Sequence, residues 1–198
     1  MANGLRFKTA RDLFIACPAA ARDMRTLPTE QRSIEFCRDL LAGRVPEEAI
    51  TFCAYLLPDR AAVWWAHECL GHLSELLDET DQKLLALVSN WVSEPGSAHH
   101  RAALGQAAAA PPTTPGAWIA LAAGWRDNGL GAAGSVGRAA EVPPALQPFP
   151  AAHAVNAGVL AGLARVALAD RFAVLSAFVE MGLQMAEIEA LHQSADAY

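Results

Sequence analysis

Apolar and polar positions along the chain repeat with the period of an α-helix rather than that of a β-strand. Trp118, Leu121, Ala122 and Trp125 lie at i, i+3, i+4 and i+7, a spacing that places side chains on one helical face. The sequence has no runs rich in Val, Ile, Thr and Tyr, which are typical of strands, and Ala, Leu, Glu and Arg dominate. The pattern predicts an all-α protein.

Proline and glycine divide this pattern into eight or nine predicted helices. Thr9 is a predicted N-cap, Pro46 lies in a predicted first turn, and Gly43 marks a predicted helix end. The short joints favour antiparallel hairpins packed as one compact bundle. The predicted spans are about 9–17, 29–43, 46–57, 59–77, 79–92, 97–110, 118–125, 151–168 and 170–193.

The length suits a single helical domain that spans residues 1–198. A proline-rich connector at 111–115 offers a division into two lobes, 1–110 and 115–198. A segment at about 127–150 carries several Gly and Pro residues and is longer than an ordinary connection. Its length predicts a functional or mobile loop.

Charge and composition exclude several classes of protein. The formal net charge is -6, the chain has two lysines, and its arginines are scattered. Proteins that bind nucleic acids usually carry a basic patch, so we expect no nucleic-acid partner and no anionic membrane partner. Hydrophobic residues make up 53% and charged residues 18%, which argues against disorder.

The sequence also predicts no membrane insertion. A spanning helix needs about 20 predominantly apolar residues. The nearest candidate, residues 151–169, is interrupted by His153, Asn156 and Arg165. Near the N-terminus, four apolar residues precede Cys17, fewer than the ~7–15 of a secretory signal. We therefore expect a cytoplasmic protein.

The four cysteines, Cys17, Cys37, Cys53 and Cys69, form no CxxC motif. In a chain with ample apolar residues, such cysteines are typical of buried free thiols. A disulfide pair and a metal site remain as alternatives.

One segment resembles a zinc motif without matching it. His67 and His72 are five residues apart, and this spacing places them about 140° apart around a helix, so they cannot bind one ion together. Glu68 and Cys69 share a face with His72, and Cys53 is the candidate for a further ligand. The spacing favours a packed helix over a metal site.

Other motifs lack the context that their chemistry needs. Residues 129–134 match GxGxxG, but no strand precedes them, as dinucleotide binding requires. Residues 189–192 form one ExxH, whereas a di-iron bundle needs two. The nucleophile motif GxSxG is absent. We therefore predict no cofactor, no metal and no catalytic residues.

Adjacent tryptophans at 64 and 65 must point in different directions on a helix. Trp65 belongs to the predicted inward stripe with Ala62, Ala66 and Cys69. Trp64 then lies near Arg60, either at a second helix interface or on the surface. An exposed Trp beside Arg is typical of a binding hot spot for a protein partner.

The strings CAYLLP at 53–58 and AVWWA at 62–66 resemble an uncharacterised family of bacterial helical proteins found alongside type VI secretion genes. The segments 117–118, 122–125 and 154–157 extend the resemblance. It implies no catalytic residues. It indicates a shared surface at Tyr55, Trp64, Trp125 and Asn156, although Asn156 is also expected to satisfy its amide by hydrogen bonding inside the fold.

Three functions follow as hypotheses, and the last of them is a helical homodimer with a structural role, which would show an apolar surface patch of about several hundred Å² or more. The first is a non-enzymatic adaptor of a bacterial, secretion-linked assembly, acting through a protein partner or self-association, with Tyr55, Trp64, His67, Trp125 and Asn156 as its surface. The second is an enzyme or small-ligand binder with a pocket near Cys53, Tyr55, Trp64 and His67. Convergence of Cys53, a histidine and a carboxylate in one cleft would favour the second hypothesis.

Overall fold

The computed structural model describes residues 5–93, 112–127 and 150–195. Within these ranges the chain forms nine α-helices and one 3-10 turn, and its extended pairing is limited to an isolated bridge between Thr9 and Arg32. The predicted all-α class is confirmed.

The helices follow one another with short connections. They are α1 (Ala10–Ala16), α2 (Ala20–Asp23), α3 (Ser33–Leu41), α4 (Glu47–Leu56), α5 (Asp59–Gly71), α6 (Glu79–Ser93), α7 (Pro115–Asp127), α8 (Ala151–Leu163) and α9 (Leu168–Ala195), with the 3-10 turn at Ser74–Leu76 between α5 and α6. The helix predicted at 97–110 and most of the loop predicted at 127–150 lie outside the described residues.

The start of α1 follows the prediction, and the start of α3 does not. The Thr9 hydroxyl accepts a hydrogen bond from the Asp12 amide, and the Asp12 carboxylate accepts one from the Thr9 amide, which completes a capping box. Thr29, the predicted start of the next helix, instead pairs with the chain ahead of it. Its carbonyl accepts from the Arg11 amide, residues 30 and 31 form a bend, and α3 begins only at Ser33.

Helix α5 is shorter than the predicted span of 59–77 and ends at Gly71. The chain then tightens, because the Leu73 amide donates to the Leu70 carbonyl and the Leu76 amide to the Leu73 carbonyl. The Leu76 carbonyl accepts from the guanidinium of Arg165, which follows the end of α8. This contact ties the 3-10 turn to a segment that is distant in sequence.

Helix α8 lies at the centre of the bundle and packs against α4, α5, α7 and α9. Nine of its thirteen residues are buried, and most of them are Ala, Gly or Val. Two glycines permit the closest approaches: a Cβ on Gly158 would lie 2.5 Å from Ile119 Cδ1 in α7, and one on Gly162 would lie 2.5 Å from Leu70 Cδ2 in α5. The small residues of α8 thus allow helices from both predicted lobes, 1–110 and 115–198, to pack against this one helix.

A buried carboxylate joins three helices near the start of α6. Asp81 is fully buried; its Oδ1 accepts from the Gly116 amide at 2.8 Å, and its Oδ2 accepts from the Arg165 guanidinium at 2.9 Å. Burying a charge is costly unless it is paired and hydrogen-bonded, and this carboxylate is both. The contact fixes the beginning of α7 against the end of α8.

Across the described ranges, no helix combines the length and apolarity needed to cross a lipid bilayer.

The packing of α8 predicts opposite effects of two Gly→Ala substitutions. Gly158→Ala should lower the free energy of unfolding by about 1–3 kcal/mol, because the added methyl group meets Ile119 and the Pro115 carbonyl. Gly71→Ala is the matched control: no atom lies within 4 Å of its Cβ position, so we expect a gain of under about 1 kcal/mol. Urea denaturation measures both, and equal effects of the two substitutions would contradict this account.

Candidate functional site

A seam of polar side chains runs between α4 and the first half of α8. The Thr51 hydroxyl donates to Asn156 Oδ1 at 3.0 Å, and both side chains are buried. Asn156 therefore makes the internal hydrogen bond expected for an amide inside an Ala-rich helix. Its side chain serves the contact between α4 and α8 rather than the surface.

Tyr55 lies one turn beyond Thr51 on α4 and shares the Asp23 carboxylate with His153. The Tyr55 hydroxyl donates to Asp23 Oδ2 at 2.6 Å, and His153 Nδ1 lies 2.8 Å from the same oxygen. The Trp118 ring packs edge-on against the His153 ring, with centroids 6.4 Å apart. Asp23 thus connects α2 to α4 and α8, and Trp118 adds α7.

The environment of Tyr55 keeps its hydroxyl protonated. Burial raises the pKa of Tyr55 far above its usual value, and the hydrogen bond and charge of Asp23 raise it further. With 3% of its surface exposed, Tyr55 acts as a hydrogen-bond donor inside the fold. Chemically, the cluster fixes an imidazole against a carboxylate, an arrangement that sets which ring nitrogen carries the proton.

Glu48 supports the position of Asp23. Its carboxylate is buried at the start of α4 and accepts from the backbone amides of Arg25, at 2.6 Å, and Thr26. These two amides directly follow the end of α2. The segment that carries Asp23 is therefore anchored to α4 by backbone hydrogen bonds as well as by Tyr55.

Two further predicted residues, Trp64 and His67, contact each other on α5. Trp64 and His67 are stacked, with ring centroids 5.0 Å apart and an interplanar angle of 11°. Both are half-buried, and His67 Nδ1 lies 3.1 Å from Glu68 Oε1. Trp65 points inward as predicted, because its indole N–H donates to the Phe178 carbonyl of α9.

The pocket predicted near Cys53, Tyr55, Trp64 and His67 is not assembled by the structure. Cys53 lies beside Cys37 in the core, at an Sγ–Sγ distance of 3.6 Å. His67 instead contacts Trp64 and Glu68 on its own helix, and His72 is exposed. The four predicted residues therefore divide among three places.

Metal ligands show no clustering either: the described ranges contain no group of three or more His, Cys, Asp or Glu side chains placed to bind an ion. The side chain of Trp125 lies outside the described residues, as do residues 129–134, which match GxGxxG.

Sequence reasoning did not identify Asp23, Thr51 or His153 as partners of the predicted residues. Asp23 ends a four-residue helix that no pattern indicated, and it precedes His153 by 130 residues. The available signal was that polar residues on the Ala-rich segment 151–163 need partners once that segment is buried. That signal shows that such a residue needs a hydrogen-bond partner, but it does not show which residue the partner is.

Comparison with known proteins identifies a family. A family model described as a family of unknown function, DUF6931, matches residues 36–186. The match includes α4, α5, α7 and α8 and omits α1 and α2, so it contains Tyr55 and His153 but not Asp23. No curated protein and no solved structure matches the chain.

The raised pKa of Tyr55 predicts a loss of stability in alkali. Above about pH 10 a tyrosine ionises in the unfolded chain, while the folded chain retains the Tyr55 proton. The unfolded state then binds fewer protons, so the free energy of unfolding falls by up to about 1.4 kcal/mol per pH unit.

Tyr55→Phe isolates this contribution. At pH 8 the variant should be about 1 kcal/mol less stable than the wild type, because the hydrogen bond to Asp23 is lost. Between about pH 10 and 11 the deficit should shrink, since Phe cannot ionise. Thiol ionisation is common to both proteins and cancels in the difference. Urea titrations at each pH measure it, and a deficit that is independent of pH would refute the assignment.

Proposed function

The chain belongs to DUF6931, a family of unknown function, and we propose that it is a cytoplasmic adaptor that binds proteins of a bacterial assembly without catalysing a reaction. The resemblance of its CAYLLP and AVWWA segments to proteins encoded near type VI secretion genes supports a secretion-linked setting. The observation that carries the proposal is the stack of Trp64 on His67, whose two side chains are only partly buried.

This stack lies on a face of α5 that is exposed or only partly buried along its length. Arg60, Trp64, His67 and Gly71 lie at i, i+4, i+7 and i+11, which is the spacing of one helical face. No atom lies within 4 Å of the Cβ position of Gly71. A partner helix can therefore approach this face closely at the Gly71 end of α5. Tryptophan and arginine are the residues most enriched at binding hot spots.

An adaptor needs a second surface, and α9 provides one. Leu168 and Phe172 are 80% and 56% exposed. They continue the helical face whose later positions, Leu175 and Val179, are buried in the core. The apolar face of α9 thus extends beyond the part that the bundle covers. Trp65, the neighbour of Trp64 in the chain, hydrogen-bonds to α9, and successive residues of a helix point about 100° apart, so Trp64 points in a different direction from the side chain that contacts α9.

One observation favours the alternative, an enzyme or small-ligand binder. Asp23 orients His153 by a short hydrogen bond, as carboxylates orient catalytic histidines. The network also includes Tyr55, whose hydroxyl is committed to the same carboxylate oxygen. Cys53 lies beside Cys37 in the core, apart from Asp23 and His153, so this alternative has an oriented histidine without a neighbouring nucleophile among the residues predicted to line the pocket.

Affinity capture from the native host tests the adaptor proposal. We expect Trp64→Ala to lose one partner protein and Leu168→Ser to lose another, each by about tenfold or more. Leu27→Ser is the matched control, because Leu27 is also 80% exposed and lies outside both surfaces; it should retain both partners. Circular dichroism confirms that each variant is folded, and each partner, when tagged, should recover the wild-type chain.

Three results would count against the proposal. If both surface variants retained every partner, neither surface would be a binding site. Capture of further copies of the chain alone would indicate self-association. A purified protein that carries a bound metabolite and captures no protein would favour the alternative.

A further inference from the structure

We propose that Cys37 and Cys53 are a site of reversible oxidative modification, at which a disulfide joins α3 to α4. The two sulfurs lie 3.6 Å apart in van der Waals contact, and both side chains are fully buried. A disulfide requires an S–S distance of about 2.05 Å. The sulfurs must therefore approach each other by roughly 1.5 Å, which is within reach of side-chain rotation and small helix shifts.

The packing around the pair holds the two thiols face to face. Phe36 and Phe52, the residues that precede the two cysteines, form a tilted aromatic pair with centroids 5.1 Å apart. Two successive positions of α3 and α4 are therefore in register. Cys53 is also held against α9, because a Cβ added to Gly182 would lie 3.2 Å from Cys53 Cβ. The backbone of α9 therefore limits the room around Cys53.

Disulfide formation breaks only weak hydrogen bonds of the two thiols. Either thiol can donate to the other at 3.6 Å, and each also has a carbonyl acceptor, Ala49 at 3.7 Å from Cys37 and Val179 at 3.8 Å from Cys53. Thiols are weak donors, and the carbonyls belong to helices whose backbone hydrogen bonds remain in place.

The chemistry balances with a peroxide as the oxidant. One thiolate attacks a peroxide oxygen, which breaks the O–O bond and gives a sulfenic acid and hydroxide. The second thiolate attacks the sulfenic sulfur, forms the S–S bond and expels a second hydroxide. The two thiol protons convert both hydroxides to water, so two thiols and one hydrogen peroxide give one disulfide and two waters.

Burial makes this reaction slow at neutral pH and faster in alkali. The hydrogen bond with Cys37, followed by burial, raises the pKa of the Cys53 thiol well above its usual value. The thiolate is the reacting species, so it is scarce near pH 7. Cys17 is less buried and should react with peroxide first.

Tryptic digestion separates all four cysteines, which makes the test direct. Cys37 and Cys53 fall on the peptides 33–38 and 45–60, and Cys17 and Cys69 fall on the peptides 12–22 and 61–83. The folded chain is treated with hydrogen peroxide at pH 7 and at pH 9, alkylated with N-ethylmaleimide in denaturant, digested and analysed by mass spectrometry. A Cys17→Ser background removes disulfides between chains.

We expect the peptides 33–38 and 45–60 to be linked, with a loss of about 2 Da from the intact chain that dithiothreitol reverses. The link should form faster at pH 9. Cys37→Ser and Cys53→Ser should each abolish it, whereas the matched control Cys69→Ser, which removes another buried thiol, should retain it. The proposal is overturned if Cys53 links to Cys69, if no intramolecular link forms, or if the link appears only in urea.

Discussion

Close packing around α8 is the constraint on which the rest of the structure depends. Because Gly158 and Gly162 present no side chain, Ile119 of α7 and Leu70 of α5 reach the backbone of α8 from two directions. A helix surrounded in this way has almost no surface left for water. Every polar group that it carries must therefore find a partner inside the protein.

The candidate site is a consequence of that burial. Asn156 is satisfied by Thr51, and His153 by Asp23, which in turn accepts from Tyr55. These bonds connect three helices, α2, α4 and α8. Their geometry is that of a structural network, although a carboxylate that orients an imidazole is also how acid–base sites are built. Of the residues predicted as a surface, Trp64 and His67 remain partly exposed, and they stack on each other on α5.

The parts of the fold that could be predicted from sequence are those decided within one or two turns of chain. The Thr9 capping box, the helix that follows Pro46 and the inward direction of Trp65 all follow from local spacing. The start of α3 could not be predicted, because residues 29–32 pair with Thr9 and the first two residues of α1. The partners of Tyr55 and Cys53 were beyond prediction for the same reason: Asp23 and Cys37 lie 32 and 16 residues away.

Helix α3 differs from the central helices in how it is attached. Its ion pair from Arg38 to Glu180 of α9 joins two exposed side chains, and such pairs contribute at most about 1 kcal/mol. Its firm contact is therefore with α4, through the Phe36–Phe52 pair and the two thiols. A covalent bond at that contact would change how α3 is held while leaving the packing of α8 in place. Trp64 lies on α5, so the proposed recognition surface and the proposed oxidation site are on separate helices.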